Sequence, residues 1–144
     1  MILVRIFIGI FLFSCLISCN GKNSQVKINY FEDGKVKSIK TYKNGILDGQ
    51  SQWFFQNGNI EQIVHFENGH ASGAAYYFYS NGKLKNFTNW REDSVITGRF
   101  AEYYNDKSNR VKSEMLFTQE GEVYLRKDFD TTGKLINEIE YKPK

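Results

Sequence analysis

Beyond position 19 the chain contains no cysteine. Both cysteines, Cys15 and Cys19, stand at the end of an apolar N-terminal run. A domain starting at Cys19 therefore has no internal disulfide, no cysteine-based metal site and no cysteine nucleophile. Proline occurs once, at Pro143, and histidine twice, at His65 and His70. Neither sign of charge dominates: 19 Lys and Arg stand against 16 Asp and Glu, a formal charge of +3. Lys35, Lys37, Lys40 and Lys43 are interleaved with Glu32, Asp33 and Asp48. Such mixing reads as a solvated surface, and the clustered basic face that nucleic acid requires is missing, so no nucleic-acid partner is expected.

Catalytic motifs are also missing. There is no Gly-rich phosphate loop, no HExxH and no GxSxG element. His65 and His70 lie five apart across Asn68-Gly69, where a hairpin could bring them together. The simpler reading places them on the surface beside a loop, with His65 facing away from Phe66. Glu138 and Glu140 share a strand face near Lys142 and read as solvated. The expectation is a protein that is not an enzyme, with no catalytic residue, no cofactor and no metal site.

What the chain has in quantity is aromatic residues and glycine: 9 Tyr, 12 Phe, 2 Trp and 12 Gly. Aromatic-rich segments broken by Gly and Asn read as all-β. The one long apolar stretch is at the start. Residues 1–18 read MILVRIFIGIFLFSCLIS, with Arg5 ahead of a run from Ile6 to Phe13 that continues through Leu16 and Ile17. A charged n-region before an apolar h-region is an export signal. A run of this length could also span a bilayer as a short helix.

Leu16-Ile17-Ser18-Cys19 resembles the bacterial lipobox. That resemblance implies diacylglyceryl transfer to the Cys19 thiol, cleavage before it, and a lipid-anchored mature N-terminus. Each buried methylene of such an anchor contributes about 0.8 kcal/mol, and two or more chains hold stably. An uncleaved anchor and plain secretion are the alternatives. Cys15 is the poorer acceptor, because Phe13 is bulky where the motif prefers a smaller residue. Asn20 follows the cysteine instead of Asp, which favours the outer over the inner membrane of a Gram-negative envelope. Residues 19–25 then form a lipidated, polar tether, and residues 26–144 form one domain.

That domain is repetitive. Gly34, Gly58 and Gly82 are spaced 24 apart, and so are Asn109 and Gly133; the step from Gly82 to Asn109 is 27. An apolar residue follows two positions later each time: Val36, Ile60, Leu84, Val111 and Leu135. Six further on comes an aromatic: Tyr42, Phe66, Trp90, Phe117 and Tyr141. An even spacing puts both on one face of a regular strand, whereas a helix would separate them. Second turns follow at Asn44-Gly45 and Asn68-Gly69, while the third copy has Glu92-Asp93 there. Asn-Gly and Asp-Gly between aromatic runs signal hairpins. The turn glycines are thus Gly34, Gly45, Gly58, Gly69, Gly82 and Gly133. Aromatics ahead of the first turns (Tyr30-Phe31, Phe54-Phe55, Phe78-Tyr79, Tyr103-Tyr104, Phe129) are expected to stack as a core ladder.

The unit Tyr-Phe-x-x-Gly-Lys-Val…Tyr-x-Asn-Gly-x-x-x-Gly, clearest over residues 30–104, resembles the bacterial MORN-repeat variant. The resemblance implies an elongated antiparallel sheet of repeated β-hairpins and a role in protein contact or scaffolding. Proteins with this repeat include many lipoproteins, and some are assigned as the antitoxin half of a toxin–antitoxin pair. The expected function is a lipid-anchored, non-catalytic envelope module that binds a protein partner or a glycan. An antitoxin-like or immunity-like role is the alternative.

Overall fold

The computed structural model describes residues 23–93, 95–96 and 98–142. The leader and Cys19 lie outside the described residues. Twelve strands are present among those described: β1 (Ser24–Tyr30), β2 (Val36–Lys43), β3 (Ile46–Leu47), β4 (Gly49–Phe54), β5 (Ile60–Glu67), β6 (His70–Phe78), β7 (Leu84–Arg91), β8 (Val95–Ile96), β9 (Gly98–Tyr103), β10 (Val111–Phe117), β11 (Val123–Phe129) and β12 (Leu135–Glu140). They form one antiparallel sheet in chain order, β1-β2-β4-β5-β6-β7-β9-β10-β11-β12, with β3 on β2 and β8 on β7. The sheet starts at Ser24, inside the stretch read as tether.

Two kinds of turn alternate, for local reasons. At the first turns Phe31, Phe55, Tyr79 and Asp130 each donate their N–H to the carbonyl four residues on, while the turn glycine donates back. Just inside each of these turns the pairing register slips by one residue, as between Asn29 and Tyr30. This is a bulged hairpin with a glycine in the left-handed region. The bulge also breaks the even count from Val36 to Tyr42, so strict alternation starts only at Ser38. The second turns are tighter. Asn44 (φ 54°) and Gly45 (φ 80°) both have positive φ, as do Asn68 (φ 50°) and Gly69 (φ 92°). Two consecutive positive φ values mark the type I′ turn.

The three extra residues of the long copy now have places. One lies between Asp93 and Gly98, and two enlarge the loop closed by Tyr104 N–H on the Arg110 carbonyl. The fourth copy changes its second turn: Thr118 donates to Glu122 and Gly121 to Thr118, which is the first-turn pattern.

The most buried positions are small. Among the described residues Ser38, Ser51, Val64, Ala75, Thr88, Ala101 and Ser113 are the buried ones, one on each of seven path strands from β2 to β10. In a single-layer sheet only a short side chain sits below its larger same-face neighbours, so small residues fill the floor. The first-turn aromatics do not form a stack. They are half-buried, and Tyr30 is 58% exposed. Their link between repeats is a hydroxyl: Tyr79 Oη donates to the Tyr103 carbonyl (3.2 Å) and Tyr104 Oη to the Phe129 carbonyl (2.7 Å).

Candidate ligand-binding face

Direct cross-strand partners share a face, so the register sorts side chains into rows. One row runs across all ten path strands: Ile28, Ile39, Gln52, Ile63, Tyr76, Phe87, Ala101, Glu114, Lys127 and Glu138. It is mainly apolar up to β7 and charged from β10 on. Tyr76 and Phe87 touch, with ring centroids 5.2 Å apart. Past β7, Arg99 pairs with Glu114, and Lys127 with Glu138 at 3.5 Å.

The opposite face carries Trp53, Gln62, Tyr77 and Asn86 as direct partners. Two residues along lie Ser51, Val64, Ala75 and Thr88, again paired in sequence. Phe66 and Trp90 continue their strands on this face. Trp53, Gln62, Val64, Phe66, Tyr77 and Trp90, with Ala71 and Asp93, line a groove of ≈ 300 Å³ with Val64 at its base; Asn86 and Thr88 share this face but lie outside the lining. Trp53 and Phe66 meet at 6.2 Å, and Lys40 Nζ lies 5.3 Å from the Trp53 ring centroid, within cation–π range.

Hydrogen bonding on this face is uneven. Ser38 accepts from Asn29 Nδ2 (2.9 Å), Ser51 Oγ accepts from Thr41 N–H (3.4 Å), and Ser113 Oγ lies 3.5 Å from Glu102. Thr88 Oγ1 has no partner, nor have Asn86 Oδ1 and Trp90 Nε1, although all three atoms are buried. The three residues are alternate positions of β7, so they project from one face.

The second-turn edge is polar. A cleft of ≈ 550 Å³ lies there between Glu67, Asn68, His70, Ser72, Arg91 and Glu92. Its groups are engaged with each other or with neighbouring turns. Ser72 Oγ donates to Glu67, Arg91 donates to the Gln119 carbonyl, and His70 Nδ1 is 2.7 Å from Asp93. Asp93 accounts for the departure from Asn-Gly in this copy. Glu92 (φ 49°) and Asp93 (φ 63°) keep the I′ shape without glycine. The Asp93 carboxylate accepts from the Ala71 N–H and bonds His70, which holds its pKa below the ordinary carboxylate value, the amide being the larger cause. His65 lies near Glu67 at 3.9 Å instead, so the two histidines take different partners, and both are exposed. Among the described residues no group of three His, Cys, Asp or Glu could hold a metal ion.

The first-turn edge is knit across repeats. Lys35 Nζ donates to the Gln56 carbonyl (3.1 Å), Asn57 and Asn59 to the Ser80 carbonyl (2.7 and 2.8 Å), and Arg110 to the Thr132 carbonyl (3.3 Å). Each turn is also capped from within. Asp33, Asn57 and Asn81 accept from the N–H two residues on, the position just after the turn glycine. Gly34, Gly58 and Gly82 have positive φ, as does Gly133 in the last copy.

Repeated hairpins in one chain-ordered antiparallel sheet define a β-hairpin repeat protein. The family model for the MORN repeat variant matches residues 26–44, 47–68 and 125–142. The unmatched stretch between holds the Glu92-Asp93 turn and the enlarged loop. Comparison with curated proteins gives no match. Among solved structures, a mutant of S. aureus TarM in complex with Fondaparinux, alpha-GlcNAc-glycerol and UDP is similar at 12% identity and TM-score 0.42, covering 64% of this chain and 18% of that one. A second TarM structure gives 13% and 0.39, covering 65% and 19%. Accessory secretory protein 1, 2 and 3 of Streptococcus pneumoniae gives 14% and 0.28, covering 76% and 18%. The chain spans less than a fifth of each of these.

Proposed function

We propose that this chain is a lipid-anchored cell-envelope protein whose sheet is a non-catalytic binding or scaffold module. The observation that carries the reading is one broad, chain-ordered sheet with an aromatic groove on one face. Its outer edges, β1 and β12, pair with no further strand among the described residues. Sheet faces and edges of this kind make contacts by side-chain pockets and strand addition. The Leu16-Ile17-Ser18-Cys19 motif behind an apolar run supports an anchor at Cys19. Side chains of the edge strand β1, with Val26 62% and Ile28 44% exposed, offer apolar contact area to a partner.

Two experiments test this reading. Cys19→Ala is expected to abolish metabolic lipid labelling and membrane retention; persistence of both contradicts the anchor. Crosslinking in intact envelopes is expected to trap one recurring partner. Recovery of the chain always alone contradicts the binding role.

A further inference from the structure

We propose that the groove bounded by Trp53, Phe66, Tyr77 and Trp90 is a binding site for a neutral oligosaccharide. This rests on the binding-module reading and names the ligand class. Native interiors leave few polar groups unpaired, and each exception calls for a reason. Here three unpaired polar atoms fall on one strand in one row: Trp90 Nε1, whose residue lines the groove, and Asn86 Oδ1 and Thr88 Oγ1, whose residues continue the same strand face just outside the lining. Thr88 is only 3% exposed, and the three serines buried elsewhere in the sheet all have partners. Gln62, which lines the groove, has no side-chain hydrogen bond among the described residues.

The row mixes chemistries: an indole N–H that only donates, a carbonyl oxygen that only accepts, and a hydroxyl that does both. A ligand whose groups all donate and accept fits such a row, and hydroxyl groups are of that kind. The aromatic rings want an apolar face beside those hydroxyls. A sugar ring has both, a face of C–H groups and an edge of hydroxyls. A quaternary ammonium would suit the rings alone, but it would meet an N–H donor at Trp90 and leave the polar row unpaired. The Asp93 carboxylate on the rim and the Lys40 ammonium over the Trp53 ring oppose each other, so neither sign of ligand charge is favoured. The unpaired atoms lie beneath the accessible surface, so binding moves the rim. Trp90 moves first, because it both lines the groove and carries one of the atoms.

Both tryptophans of the chain line this groove, so intrinsic fluorescence reports the site without a label. The full chain, purified in a polyoxyethylene detergent free of sugar head groups, is titrated with cellohexaose, maltohexaose and chitotetraose. Tetramethylammonium is titrated in parallel. The expected result is a saturable change with at least one oligosaccharide and none with the cation. Thr88→Val keeps the shape and removes the hydroxyl; Trp90→Phe keeps a ring and removes the N–H. Each is expected to weaken binding about fivefold, the worth of one ordinary hydrogen bond. Thr88→Val is also expected to melt no lower than the parent, since it removes an unpaired group. Absence of saturation with all three sugars, an equal response to tetramethylammonium, or unchanged affinity in both variants overturns the proposal. A partner still trapped in envelopes after such a failure leaves the binding-module reading standing and removes only the sugar site.

Discussion

The row Ile28, Ile39, Gln52, Ile63, Tyr76, Phe87 crosses β1 to β7, and Ala101, Glu114, Lys127, Glu138 continues it across β9 to β12. Same face, same register, different chemistry. In the first region apolar side chains cover one another, at about 25 cal/mol for each Å² removed from water. In the second, charges pair, Arg99 with Glu114 and Lys127 with Glu138 on this face and Lys112 with Glu102 and Arg126 with Asp128 on the opposite one, each pair with one half-buried partner. Such surface pairs contribute about 1 kcal/mol or less each and weaken with salt. The backbone ladder does not distinguish the two regions, so a repeat can lose its side-chain signature and keep its strands. Turn capping shifts in the same way. In the first region Asp33, Asn57 and Asn81 cap from the residue just before the turn glycine, behind an aromatic at the turn entry. In the second region the last two turns are capped by the entry residue itself, Thr118 on Glu120 and Asp130 on Thr132, while the enlarged loop entered by Tyr104 is capped by Asp106 on Ser108.

The largest expected effect separates the floor of the first region from the charges of the second. Ala75→Asp places an unpaired carboxylate at a position with no exposure and should cost on the order of 3 kcal/mol or more in urea unfolding. Glu114→Ala should cost about 0–1 kcal/mol. Comparable losses would erase the distinction.

The two versions of the I′ turn make a second test. Gly45→Ala forces an ordinary residue to φ 80° and should destabilise by about 1–2 kcal/mol. Glu92→Asn puts a residue tolerant of positive φ where glutamate now sits and should raise stability by roughly half a kcal/mol. A loss in the second variant would mean that Glu92 contacts outweigh its backbone cost.

Salt gives a smaller and regional effect. Raising ionic strength from about 0.1 to about 1 M shortens the screening length from about 10 to about 3 Å. Amides of β10–β12 should then exchange faster while those of β5 and β6 do not, with a shift below about 1 kcal/mol. Uniform acceleration would contradict the charge ladder.

The smallest effect per group is acid sensitivity at the caps. Hydrogen bonds hold Asp33, Asp93, Asp106 and Asp130 below their ordinary value of 3.8: for Asp33 chiefly the Lys35 N–H, for Asp93 the Ala71 N–H, for Asp106 and Asp130 the hydroxyls of Ser108 and Thr132. A lowered folded pKa means that the ionised form is favoured by folding. That stability is complete above the unfolded value and is lost as pH falls below it through the folded values. The melting temperature should therefore fall as pH drops below about 4. Asp33→Asn should remove that turn's share while keeping the turn, because Asn57 and Asn81 make the same bond.

The hairpins were legible in the sequence because positive φ is a local demand, met by glycine and asparagine at fixed spacing. The small floor was not legible, because Ser38, Ser51, Ala75 and Thr88 carry no hydrophobic periodicity. A signal was nonetheless there: Ser51 and Ala75 are 24 apart, as are Val64 and Thr88. The aromatic ladder was misplaced for a related reason. Spacing identifies recurring aromatics, but the bulge at each first turn decides which way they project. The groove was hidden because Trp53, Tyr77 and Trp90 come from three strands and meet only through register.

The central claim is that one continuous sheet runs through both regions although the family's sequence signature breaks off after residue 68 and resumes only at 125. Hydrogen–deuterium exchange of the full chain, resolved by peptide, tests it directly. The expected result is unbroken protection from β2 to β11, slowest at β5 and β6 and fastest at β1 and β12. Protection that ends at the β7–β9 junction, with residues 98–142 exchanging at the rate of an unfolded chain, would contradict it.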